Sequence, residues 1–136
     1  MIRVSLLLIP AWLALVSGCG GGTATVGEVP CSPAKGSLFI GEKPAAGATL
    51  ICIPKTEASG SLTPRPRATV GEDGSFALGT FGTGDGAPVG EYGLMIFWPG
   101  NDSDDRLNGR YDSPAKTKQT VTIAAGNNDL PPIKLK

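Results

Sequence analysis

The sequence predicts an all-β domain, a single sandwich of seven short strands. Three observations lead there. Twenty glycines and twelve prolines in 136 residues interrupt the chain too often for helices of useful length. Seven short segments alternate apolar and polar side chains with a period of two, as half-buried strands do. Turn-forming residues separate these segments at the short, regular intervals of a sandwich.

The first strand starts at Ser32, with Ala34, Gly36, Leu38 and Ile40 alternating with Lys35, Ser37 and Phe39. Gly41-Glu42-Lys43-Pro44 reverses the chain, and glycine followed by another residue suits a type II′ hairpin turn. Ala48 to Ile53 is the second strand, Leu50 and Cys52 facing one way and Ile51 and Ile53 the other, and Pro54 ends it. Lys55 to Pro66 is a polar, proline-bearing loop. Arg67 to Val70 is the third strand. Gly71-Glu72-Asp73-Gly74 is a tight turn in which Asp73 has a local backbone role. Ser75 to Thr80 is the fourth strand, with Phe76 and Leu78 on one face, and the glycine-rich Gly82 to Gly90 is a loop. Glu91 to Trp98 is the clearest strand. Tyr92, Leu94, Ile96 and Trp98 point one way and Gly93, Met95 and Phe97 the other, and two apolar faces place it centrally in its sheet. Pro99 to Lys118 is a long charged connection. Val121 and Ile123 mark a sixth strand, Gly126-Asn127-Asn128-Asp129 a turn, and Leu130 to Leu135 a seventh strand.

The N-terminus is of another kind. One positive charge, Arg3, precedes an almost wholly apolar run from Val4 to Val16. That run is too short for a membrane-spanning helix, which needs about 20 residues, but suits the apolar region of a secretory signal. Val16-Ser17-Gly18-Cys19 follows directly and resembles the lipobox of bacterial lipoproteins. The resemblance implies a signal peptide over 1–18, cleaved before Cys19, with the Cys19 thiol and new amino group acylated. Several acyl chains anchor a protein stably where one binds only marginally. Residues 19–31, rich in Gly, Thr and Ala, are expected to form a flexible tether, and 32–136 the folded domain. Gly20 is not the aspartate that resembles an inner-membrane retention signal. The expected address is the cell membrane or outer membrane, lipid-anchored and facing an extracytoplasmic compartment.

Composition excludes much chemistry. There is no histidine, so Ser-His-Asp and Cys-His sites, histidine-ligated zinc and histidine general bases are impossible within this chain. Twelve basic residues balance twelve acidic ones without a long basic run, which speaks against nucleic acid as a partner. Cys31 and Cys52 remain after the lipobox cysteine. Their spacing leaves two states open: a disulfide, worth about 3 kcal/mol on the loop-entropy account, or a buried thiol at Cys52 within an apolar strand.

Lys43 to Leu50, Asp73-Gly74-Ser75-Phe76 and Gly90-Glu91-Tyr92-Gly93-Leu94 together resemble the carboxypeptidase regulatory-like domain. That resemblance implies an Ig-like/transthyretin-like sandwich of seven strands. Gly84-Asp85-Gly86-Ala87-Pro88, Gly109-Arg110-Tyr111 and Asn128-Asp129-Leu130-Pro131 are similar to a narrower group of short bacterial lipoproteins built on it. The match covers about residues 32 to 136. Two positions depart from the pattern: Glu42 stands where the family usually has glycine, displaced here to Gly41, and Ala34 where a valine is common. The family brings no established catalytic residues, and its transthyretin-like hydroxyisourate hydrolases depend on histidines that this chain lacks.

Candidate sites are few. Asp102, Asp104 and Asp105 cluster on one loop and are weighed as a calcium site, but the EF-hand spacing is absent and a solvated charged loop fits better. Trp98 and Tyr111 flank that loop as candidate ligand contacts for a sugar ring or aromatic group, although Trp98 also suits a core cap with its N–H on a backbone carbonyl. Gly82 to Gly90 lacks phosphate-loop chemistry. Lys35 lies on an outward face, which speaks against an intramolecular isopeptide bond. The expectation is a protein that is not an enzyme, needs no cofactor or metal, and serves binding or cell-envelope organisation. Its partners would be the membrane, through the N-terminal lipid, and an envelope protein or glycan. The alternative is a carbohydrate- or peptide-binding module of the cell surface.

Overall fold

Alternation is strongest in the two segments that organise the chain, and each becomes the centre of a sheet. The computed structural model describes residues 29–56 and 63–136. The expected signal peptide, Cys19, most of the tether and the tip of the 55–66 loop lie outside them. The strands, in chain order, are β1 (Cys31–Ser32), β2 (Ala34–Ile40), β3 (Lys43–Pro44), β4 (Thr49–Pro54), β5 (Arg67–Thr69), β6 (Ser75–Ala77), β7 (Ala87–Pro88), β8 (Gly90–Phe97), β9 (Thr120–Ile123), β10 (Asn128–Asp129) and β11 (Ile133–Leu135), with one short helix, α1 (Pro114–Thr117), before β9. The protein is all-β.

In one sheet β2 pairs antiparallel with β6 and β3 and parallel with β10 and β11. In another the order is β5-β4-β8-β9, antiparallel throughout, with β8 central as its two apolar faces require. A third, small sheet joins β1 to β7. Alternation decides which side chains go inward. Leu38, Leu50, Cys52, Leu94, Ile96 and Ile123 are fully buried and share one core with Phe76, Tyr92, Ile133 and Leu135. Each large apolar side chain so buried contributes about 1.5–3 kcal/mol. The β2–β3 hairpin turns at Gly41 with φ +63°, while Glu42 keeps a negative φ, as a type II′ turn requires.

Where structure and sequence pattern differ, a long-range partner is the reason. Pro54 ends β4 from within, as its last paired residue, opposite Tyr92. The 82–90 segment contains β7, because Ala87 and Pro88 pair with Ser32 and Cys31. Cys31, expected to close the tether, is therefore in a strand. Asn128 and Asp129, expected in a turn, pair in parallel with Ala34 and Lys35. The Asn128 side chain closes the turn before them, accepting from the Ala124 N–H at 2.9 Å and donating to the Ala124 and Gly126 carbonyls. The expected seventh strand, Leu130 to Leu135, is shortened to β11, since Pro131 and Pro132 have no N–H for the ladder.

The 99–118 connection does a strand's work. Beyond Gly93, the β8 edge has no β9 to pair with. There the Ile96 N–H donates to the Tyr111 carbonyl at 2.8 Å, and the Thr117 hydroxyl of α1 donates to the Leu94 carbonyl at 2.6 Å. The Trp98 N–H donates to Asp105 Oδ1 at 3.0 Å, and the Trp98 carbonyl accepts from the Arg106 N–H at 2.8 Å.

Candidate binding groove

Outward side chains of β4, β5, β6, β2 and β10 fall into one row. Thr49 pairs with Thr69, Ala77 with Lys35, and Lys35 with Asp129. Between the Arg67–Gly79 bridge and the Gly71 N–H bonded to the Ser75 carbonyl, Thr69 stands opposite Ala77. The row forms the floor of a groove of about 920 Å³. Lys35 and Arg67 flank β6 on the same face, two strand spacings across and two residues along it, roughly 12 Å apart at Cα.

The wall is the loop after β6. A Cβ at Gly79 would overlap the Gly82 carbonyl, so only glycine lets the loop fold back this tightly. Asp85 braces it: Oδ1 accepts from the Thr80 N–H at 2.7 Å, and Oδ2 from the Gly82 and Phe81 N–H groups at 2.8 and 3.1 Å. The Thr80 hydroxyl adds a bond to the Gly86 carbonyl at 2.7 Å. Desolvation pushes the Asp85 carboxyl up, but the three backbone donors outweigh it and hold the group below its ordinary value. The brace presents Phe81 to solvent with half of its surface exposed, at 50%.

The residues singled out from sequence lie elsewhere. The Trp98 Nε1–H donates to the Ala46 carbonyl at 2.8 Å, and the Arg106 guanidinium stacks over its ring at 4.7 Å. Tyr111 is buried, its hydroxyl donating to the Lys136 carbonyl at 2.6 Å with Arg110 over the ring. Both rings are thus engaged in packing, and neither lines the groove.

Asp105 is directed into its own loop, Oδ1 accepting from the Trp98 and Leu107 N–H groups and Oδ2 from that of Gly109. Desolvation raises its carboxyl and these donors lower it by more. Asp102 and Asp104 are exposed, and among the described residues no three His, Cys, Asp or Glu side chains converge as a metal site needs. Asp73 keeps a local role, accepting from the Ser75 hydroxyl at 2.6 Å and its N–H at 3.0 Å.

No disulfide joins Cys31 and Cys52 in this structure. Burial pushes the Cys52 thiol up to about 12, which makes it inert at neutral pH. Cys19 lies outside the described residues.

Sequence reasoning missed Phe81 and Arg67. The readable signal for Phe81 was an aromatic residue isolated among Gly and Thr, with no alternating partner to bury it. Compared with known proteins, the chain matches no family model, no curated protein and no solved structure.

Proposed function

We propose that the chain is a non-catalytic, lipid-anchored, extracytoplasmic protein, a seven-stranded sandwich of the carboxypeptidase regulatory-like kind that serves binding or envelope organisation. The observation that carries the address is Val16-Ser17-Gly18-Cys19 directly after a short apolar run. β2, β4, β5, β6, β8, β9 and β11 correspond to the seven strands of this reading. Support for a role without catalysis comes from how the carboxylates are used. Asp73, Asp85 and Asp105 each accept backbone N–H groups and are held ionised, which suits bracing and unsuits proton donation near neutral pH.

The second reading, a carbohydrate- or peptide-binding module, is favoured by the groove, with the exposed Phe81 in place of the packed Trp98 and Tyr111. Fractionation of cells expressing the chain tests the anchored reading. The wild type is expected in the membrane fraction and a Cys19→Ser variant outside it. Equal partitioning of the two would overturn the anchor.

A further inference from the structure

We propose that the groove holds a strand of carboxylate-bearing glycan, with Phe81 as the stacking platform and Lys35 and Arg67 as the carboxylate contacts; this rests on the binding reading above. The strands under the centre of the groove are paired on both sides, and only the two-residue β10 at its rim pairs on one side, with β2. β6 lies between β2 and the Arg67–Gly79 bridge, and β4 between β5 and β8. An extended peptide recognised by strand addition needs an open edge, and the floor beneath Phe81, Lys35 and Arg67 offers a sheet face instead. What that face presents is side-chain chemistry: the hydroxyls of Thr49, Thr69 and Ser75, two cations and one carboxylate.

The charged groups lining the groove are Lys35, Arg67 and Asp129, so cations outnumber the acid. Asp129 sits beside Lys35 in the row. Asp73 bonds Ser75 at the turn end, leaving the Arg67 end the most favourable for a carboxylate. Among the described residues neither Lys35 nor Arg67 is in an ion pair. A guanidinium meets a carboxylate through two parallel N–H donors, a geometry that a sugar acid offers at a fixed angle to its ring.

The ring itself has an apolar face. Phe81 is held out by a loop tied at three successive N–H groups, so its exposure is built rather than frayed. A preformed platform of this kind loses little ordering entropy on binding. The volume, about 920 Å³, lies within the range of small-ligand sites, roughly 300–1,000 Å³.

The test is calorimetric titration of the full chain with a galacturonic acid hexamer, a neutral glucose hexamer with the same number of rings, and a hexaglutamate peptide. The sugar-acid hexamer is expected to bind, more weakly as salt rises, and at least tenfold tighter than either control. Lys35→Ala, Arg67→Ala and Phe81→Ala are each expected to weaken it about tenfold. All three side chains are exposed, so the variants should fold, and Lys134→Ala, an exposed cation outside the groove, should leave binding unchanged. Equal binding of hexaglutamate, or of the neutral hexamer, would overturn the ligand class. Equal loss in Lys134→Ala would overturn the site. A chain that fractionates with membranes yet ignores the sugar-acid hexamer at millimolar concentration overturns this proposal alone. A chain that binds it while remaining soluble and unacylated overturns the anchor instead.

Discussion

Asp105 accepts three backbone N–H groups, from Trp98, Leu107 and Gly109, and so ties the start of the 99–118 connection to the end of β8. Removing it in Asp105→Ala should cost about 1–2 kcal/mol, less than a fully buried acceptor would, because water can reach the freed donors. That corresponds to a melting temperature lower by about 4–8 °C. Asp105→Asn keeps one acceptor oxygen and should fall between. The same contacts set the acid response. The folded carboxyl lies below its ordinary value of 3.8, so its stabilising contribution is complete above that value and is lost as pH falls through the lowered one. Urea midpoints measured from pH 7 down to pH 2 should therefore fall below about pH 4 in the wild type. The Asp105→Ala curve should be flatter over that window, and parallel curves would contradict the assignment.

At the scale of elements, the small β1–β7 ladder fastens the chain's entry to the rest of the fold, and Gly86 sets how closely it docks. Gly86 has φ +96°, and a Cβ there would run into the Ser32 carbonyl; Gly126 has φ +92° with nothing near. Alanine at either position meets backbone strain of roughly 1–3 kcal/mol. Gly86→Ala should cost clearly more, because β1 must also move, and the difference between the two urea midpoints measures what docking β1 is worth. Equal losses would mean the ladder contributes nothing. The strands themselves were legible wherever alternation is local: Leu38, Leu50, Leu94 and Ile123 point inward as the period of two dictates. Elements made by distant partners were not legible. Ala87 and Pro88 become a strand only because Ser32 and Cys31 arrive beside them, and Asn128 and Asp129 only because β2 has an open edge there. The groove was hidden for the same reason. Lys35, Arg67 and Asp129 are remote in sequence and meet through strand register alone.

For the whole molecule, two features matter: a fold whose described part carries a braced, ring-bearing groove, and an N-terminus that resembles an export and acylation signal. No helix among the described residues is long and apolar enough to cross a membrane, and the proposed attachment is the lipid at Cys19. Equal numbers of acidic and basic residues give the chain little electrostatic attraction to an anionic surface, and the anchor would carry the address by itself. The most direct measurement is the intact mass of the protein extracted from membranes of an expressing bacterial host. The expected species begins at Cys19, lacks residues 1–18 and is heavier than its peptide mass by the attached acyl groups. A chain that retains residues 1–18, or one that begins at another residue with no added mass, would contradict the central claim.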